Sequence, residues 1–249
     1  LTVQPTFRVR QDLYENLSLE AAADHFDDLT SLGDSVSLFT DWQEPTFEQV
    51  WVKRRVPPDD AFRPSPTLYG ATIATIPLHP IRRMAPDACT EQLGVPGPWH
   101  DRLPHFRMDH TPSAGNELQS EYFVPRRHAV DAMTAVHAIR RRLEGLLQIG
   151  EVRTIAADDL WLSPAFGRPS VALHFTWFPD WGRVTSVLPT VEDALRPFEP
   201  RPHWGKVFAL SADELRSRYD RLPEFAALAR RLDPNGRFRN AFVDRVLGP

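Results

Sequence analysis

What leaves this chain few folds to choose from is a hydrophobic pattern that occurs twice. Residues 6–15 have the β-branched and aromatic character of a strand, Ser18 offers an N-cap, an amphipathic helix is predicted over 19–32, and Gly33 stops it. Strands at 35–40 and 47–55 complete this first unit. The second runs as a strand at 118–124, a helix over 126–147, strands at 150–155 and 170–178, and a further helix around 185–195. Two β-α-β-β units, each with a helix crossing between strands, predict an α+β fold: an antiparallel or mixed sheet with helices on one face. The units share topology rather than sequence.

Between them, residues 57–116 carry many prolines and glycines around short apolar patches such as 68–76. This is too long for a plain connection in a compact domain, so a packed excursion at the edge of a site is expected. Past Arg201, flanked by Pro200 and Pro202, the character changes again. Short helices over 212–221 and 223–232 and an Asp233-Pro234-Asn235-Gly236 turn form a C-terminal segment that need not pack on the sheet.

Net charge is −4, from 29 Lys+Arg against 33 Asp+Glu, and the basic residues are scattered rather than gathered into a stripe. No footprint for nucleic acid results, and a small uncharged substrate is the better expectation. No apolar run approaches the ~20 residues of a membrane span. Cys89 is the only cysteine, which excludes an internal disulfide, a cysteine-rich zinc site and a redox pair, and makes the cytoplasm the expected compartment. The chain opens at Leu1 with neither a signal-peptide pattern nor an initiator methionine, and reads as a fragment.

Side chains two apart on a strand share a face, so Glu151 and Arg153 point one way, as do His174 and Thr176. If those strands pair, four polar groups converge, while Val152, Leu173, Phe175 and Trp177 turn to the helix side. By pattern alone the commoner reading is the charged outer face of a half-buried sheet. His203-Trp204-Gly205-Lys206 sets two ionisable groups around an indole and a glycine, and Lys206 is one of only two lysines, with Lys53. Here the alternative is a surface lysine beside a packed tryptophan. His100, His105, His110, Asp101 and Asp109 match no ligand spacing, so no metal site is read. Gly-x-Gly-x-x-Gly, P-loop and Gly-x-Ser-x-Gly motifs are absent from the sequence.

An ordered set of segments then stands out: Thr67-Leu68-Tyr69-Gly70-Ala71-Thr72, Thr90-Glu91-Gln92, Gly94-Val95-Pro96-Gly97-Pro98-Trp99-His100 and Glu117-Leu118-Gln119-Ser120-Glu121-Tyr122. It continues through Glu151-Val152-Arg153-Thr154, His174-Phe175-Thr176-Trp177, Arg201-Pro202-His203-Trp204-Gly205-Lys206 and Phe238-Arg239-Asn240-Ala241-Phe242-Val243. Nearly end to end, this set resembles the alditol oxidases, members of the vanillyl-alcohol-oxidase-like flavoproteins close to the sugar-lactone oxidases that make ascorbate-type products. The His-Trp-Gly-Lys string with the later Asn-Ala-Phe is fairly specific to this branch.

The resemblance implies an FAD-dependent oxidase that converts the terminal hydroxymethyl group of sugar alcohols, of the xylitol or sorbitol type, to the aldose while dioxygen goes to hydrogen peroxide. It implies that Glu151, Arg153, Thr176 and Lys206 hold the polyol. Arg153, His174 and Lys206 are the implied catalytic group, with His174 or Lys206 as base and Arg153 at the developing alkoxide. His203 is implied to lie by the flavin. Family members begin with an FAD domain carrying a histidine bonded to the flavin, and nothing in this sequence corresponds to it. Residues 1–200 are therefore expected to be a substrate-binding cap domain, and 201–249 a segment packed near the flavin and that N-terminal FAD domain, with the chain alone inactive. Other readings stay open: an aldono-1,4-lactone oxidase of the D-arabinono- or L-gulono-lactone type, a non-catalytic carbohydrate-binding fragment, or a truncated product.

Overall fold

Period-two alternation forms strands where it was expected. The first unit is β1 (Arg8–Ser18), α1 (Leu19–Asp24), α2 (Phe26–Thr30), β2 (Ser35–Thr40) and β3 (Thr46–Val56). The excursion adds the short strands β4 (Thr67–Leu68), β5 (Ala71–Ile73) and β6 (Gly97–Pro98). The second unit is β7 (Leu118–Pro125), α3 (Ala129–Ala138), α4 (Arg140–Leu143), β8 (Leu147–Ile155), β9 (Ser170–Trp177) and α5 (Trp181–Leu195). Beyond it lie β10 (Arg201–Pro202), α6 (Ala212–Arg218), α7 (Leu222–Leu232) and α8 (Ala241–Leu247). The structure, a computed structural model, describes residues 3, 5–57, 62–110 and 116–248; Leu1 and the parts of the expected excursion at 58–61 and 111–115 lie outside the described residues.

The strands form one sheet in the order β10-β7-β9-β8-β2-β3-β1-β5-β4, with β6 also on β1. Every strand pairing among the described residues is antiparallel. Within each unit the third strand inserts between the other two, giving β2-β3-β1 and β8-β9-β7. The units meet where β2 pairs with β8, Leu38 opposite Val152, so the two halves are related by a topological twofold through that seam. The result is an α+β fold whose helices share one face of an antiparallel sheet.

On the helix side, Val152, Leu173, Phe175, Trp177, Tyr122 and Val124 belong to one core with Met133 and Val136 of α3 and Val184, Leu188 and Val191 of α5. Each such side chain contributes roughly 1.5–3 kcal/mol by leaving water. The rings of Phe175 and Trp177 stack 5.3 Å apart, and the Trp177 indole donates to Ser120 Oγ at 3.1 Å, so the buried N–H is satisfied. Leu215, Tyr219, Leu222 and Val246 bring the C-terminal segment into the same core. Glu192 of α5 fastens it, accepting from the Tyr122 hydroxyl (2.8 Å) and the Ala209 N–H (2.6 Å). On the opposite face, Ala74, Ile81 and Cys89 of the excursion pack on Leu13, Phe39, Trp51 and Ile149. This covers the first unit and leaves the polar face of the second in a cleft.

Helix boundaries differ from the expected ones for local reasons. The helix expected over 19–32 breaks at His25 (φ −120°), whose ring stacks 4.0 Å from Tyr69. The helix expected over 126–147 breaks at Ile139, before three consecutive arginines, and Gly145 at φ 69° turns the chain into β8. Helix α5 starts earlier than expected because Asp180 accepts from the Arg183 N–H at 3.0 Å, and α8, which was not expected, is capped by Asn240 on the Val243 N–H at 2.9 Å. No helix among the described residues is long and apolar enough to cross a membrane.

The seam leaves little room. A Cβ on Gly150 would lie 2.6 Å from Trp42 Nε1 and 3.1 Å from the Thr40 carbonyl oxygen, whereas one on Gly182 meets only Asp180 Oδ1 at 3.9 Å. Gly150→Ala should therefore cost ~1–3 kcal/mol of unfolding free energy, the usual range for overpacking. Gly182→Ala should be neutral or stabilise by ~0.5 kcal/mol. Denaturant midpoints of the two variants compare them directly.

Candidate functional site

The polar residues of the second unit reach one cavity because the register aligns them in rows. Across β7, β9, β8 and β2, Glu121 stands opposite His174, His174 opposite Glu151, and Glu151 opposite Phe39. One row over, Gln119 stands opposite Thr176 and Thr176 opposite Ile149. On the other side Ala172 separates Phe123 from Arg153, and its small side chain leaves the guanidinium room to lean across His174. Arg153 Nη1 donates to Glu151 Oε2 at 3.2 Å and Nη2 to Glu121 Oε1 at 2.6 Å. One cation thus bridges the two carboxylates that flank the imidazole.

The turn after β10 adds a second cation. The His203 N–H donates to the Glu121 carbonyl (2.9 Å), the Val207 N–H to the Gln119 carbonyl (2.8 Å) and the Lys206 N–H to the His203 carbonyl (3.1 Å), clamping the turn to the edge of β7. Lys206 Nζ then donates to Glu121 Oε2 at 2.6 Å. From the excursion, His105 Nε2 approaches Glu151 Oε1 at 3.0 Å. Phe39, Pro80, Ile81, Phe106 and Ile149 complete the wall of a cavity of about 250 Å³.

Charge states follow from these contacts. Burial pushes the Glu121 carboxyl up, but Arg153 and Lys206 outweigh it and hold the group below its ordinary range. Glu151 behaves alike: burial raises it, and Arg153 and His105 hold it well below that range. Burial of the guanidinium opposes the charged form of Arg153, but Glu151 and Glu121 more than offset this and raise its pKa. Burial, reinforced by Lys206, lowers His174 to about 4, and burial lowers His105 as well. Near neutral pH Glu121 and Glu151 are therefore carboxylates paired with Arg153 and Lys206, and both imidazoles are neutral, while Glu117 adds a further acidic side chain to the wall.

Of the six residues singled out from sequence, Glu151, Arg153, His174, Thr176 and Lys206 line this cavity. His203 does not. It lies half-buried on Phe123 (ring centroids 6.3 Å), with Nδ1 accepting from the Gly205 N–H at 3.1 Å, and burial lowers its pKa. Glu121 and Gln119 carried part of the family resemblance but were given no site role, although Glu117, Gln119 and Glu121 alternate with Leu118, Ser120 and Tyr122 in a pattern that puts them on one face. His105 had no such signal, because it comes from an aperiodic loop.

Comparison with known proteins gives this arrangement a context. The family model for D-arabinono-1,4-lactone oxidase matches residues 113–246. The chain is similar to an alditol oxidase of a Streptomyces species, 52% identical over 247 residues, covering 99% of this chain and 58% of that protein. It is also similar to an L-gulono-1,4-lactone dehydrogenase of Mycobacterium tuberculosis, 37% identical over 134 residues, covering 53% of this chain and 31% of that protein. The chain thus spans a little over half the length of the first of these relatives. Among solved structures, a VAO-type flavoprotein from Myceliophthora thermophila shares the fold with a TM-score of 0.54 at 14% identity, over 94% of this chain and 46% of that one. The family-model match, which takes in more than half of the sequence, makes this chain a member of the D-arabinono-1,4-lactone oxidase family.

Proposed function

We propose that this chain is the substrate-holding part of an FAD-dependent oxidase that converts the terminal hydroxymethyl group of a sugar alcohol, of the xylitol or sorbitol type, to the aldose, with dioxygen reduced to hydrogen peroxide. The observation that carries this is the pairing of charge at the cavity: its two cations, Arg153 and Lys206, are both held by carboxylates, Glu151 in its wall and Glu121 behind it. With both cations already paired, such a site offers no free positive charge to an anionic substrate, yet it is dense in donors and acceptors, which suits a neutral polyol. The 52% identity to an alditol oxidase supports the same choice. The shorter match to a lactone dehydrogenase keeps an aldonolactone as the second substrate class. Polyols and lactones assayed side by side for peroxide separate the two.

The cofactor fits this chain from one side only. Among the described residues no glycine-lined turn opens a long helix in a way that would cradle a dinucleotide. The half-buried His203 and the adjoining Lys206 form a flank against which a flavin ring could lie. The residues that hold the rest of FAD are assigned to an N-terminal domain, with 201–249 as the segment nearest to it. When bound, the flavin supplies the hydride acceptor.

The residues of this chain then divide the remaining work. Glu151 accepts, and Thr176 donates and accepts, hydrogen bonds along the polyol, fixing which carbon is presented. The hydroxyl proton goes to His174. That imidazole is neutral and has a lone pair to offer, whereas the Lys206 ammonium is paired with Glu121. Arg153 and Lys206 stabilise the negative charge that develops on the alkoxide oxygen. A cytoplasmic setting accords with the lone buried thiol of Cys89.

In the full-length enzyme Arg153→Ala should lower turnover by ~10²-fold or more, the usual effect of removing a donor to developing charge. Unchanged kinetics on xylitol and sorbitol would exclude the assignment. The pH profile gives a second test. Protonated His174 cannot take the proton, so kcat/KM should fall as pH drops through about 4 rather than through the ordinary 6.5. An acid limb near 6.5, or one that survives in His174→Asn, would count against His174 as the base.

A further inference from the structure

The excursion does more than cover apolar surface. Lys53 is fully buried on β3, and its Nζ donates to the carbonyls of Leu103 (2.7 Å) and Pro104 (2.8 Å). Thr90 Oγ1 donates to the same Pro104 carbonyl at 2.7 Å. A methionine would fill the space of Lys53 with far less desolvation cost, so these two contacts are what the amine contributes. The next residue along the loop is His105, seated edge-on against Phe39 and Trp51 with ring centroids 5.6 and 5.2 Å away.

From that seat His105 Nε2 lies 3.0 Å from Glu151 Oε1 and 3.3 Å from Ser37 Oγ. An ionised carboxylate can only accept, so Nε2 carries the hydrogen. The other ring nitrogen, Nδ1, is buried with no partner among the described residues. Arg153 takes the second oxygen, Oε2. Glu151 is therefore held at both oxygens, from the sheet on one side and from the excursion on the other.

We infer that His105 is a positioning residue, which acts through Glu151 by fixing the directions in which that carboxylate accepts substrate hydroxyls, and that Lys53 is the anchor holding His105 in place. The inference rests on the polyol reading above and adds to it a selectivity element supplied by the excursion. With one lone-pair direction on each oxygen already occupied, those left for the substrate have fixed angles and spacing. The loop thereby sets which neighbouring hydroxyls are accepted together.

The test uses the full-length, flavin-loaded protein with xylitol. His105→Leu should raise KM about tenfold while kcat stays within about threefold, as expected from losing one hydrogen bond to a charged group that holds substrate. His105→Gln, which keeps a donor within reach of Glu151, should recover most of that loss. Lys53→Met should raise KM in the same way as His105→Leu. Turnover of xylitol by the unmutated protein separates the two claims. Without it the polyol reading falls; with it, an unchanged KM in both His105→Leu and Lys53→Met overturns the positioning inference alone. A drop in kcat at constant KM also overturns it, as does a glutamine variant no better than the leucine one. If the leucine variant does not fold, His105→Asn, whose amide is too short to reach, makes the same comparison with His105→Gln.

Discussion

Two carboxylates buried on either side of one imidazole cannot both stay ionised unless a cation lies between them. Arg153 is that cation, with one guanidinium nitrogen on Glu151 and another on Glu121. A lysine in its place would offer a point charge and could not span the two. Much of the local architecture serves this geometry. Ala172 clears the space above β9, β7 and β8 flank β9 so that both carboxylates sit level with His174, and the turn carrying Lys206 is clamped to β7 by backbone hydrogen bonds. The apolar core on the far face keeps those strands in register, because a slip of one residue would turn every polar group into the hydrophobic layer.

The same geometry accounts for the protonation pattern. A buried histidine between two unpaired carboxylates would be drawn toward its charged form. With both acids already matched by Arg153 and Lys206, burial dominates instead and His174 is neutral. The base is thus made available by groups that do not themselves take the proton. Lys206 serves both purposes, since it matches Glu121 and also disfavours a second positive charge on the imidazole.

How much of this could be read from the sequence depended on periodicity. The strand at 170–178 and its partner at 150–155 were legible because alternation separates Leu173, Phe175 and Trp177 from His174 and Thr176. The convergence of Glu151 and Arg153 with them followed once the strands paired. Glu121 obeys the same alternation and was open to the same argument. Lys53 and His105 were not legible, since a lysine at the centre of a strand looks like an exposed one until its carbonyl partners are known. Those partners lie some fifty residues away in a stretch without a repeating pattern. Helix ends were misplaced where a single residue decided them, as with the stacking of His25 on Tyr69 and the left-handed backbone of Gly145.

The twofold seam bears on how the chain can be divided. Two units of like topology invite the idea of two separable modules, but β2 and β8 are each other's outer neighbours and neither has another partner on that side. Cutting the chain between the units would bare both at once, leaving rows of unpaired amides and carbonyls flanked by apolar side chains. Such margins are templates for strand addition by other molecules. Each half therefore covers the other's open margin, and the seam argues against dividing the sheet there.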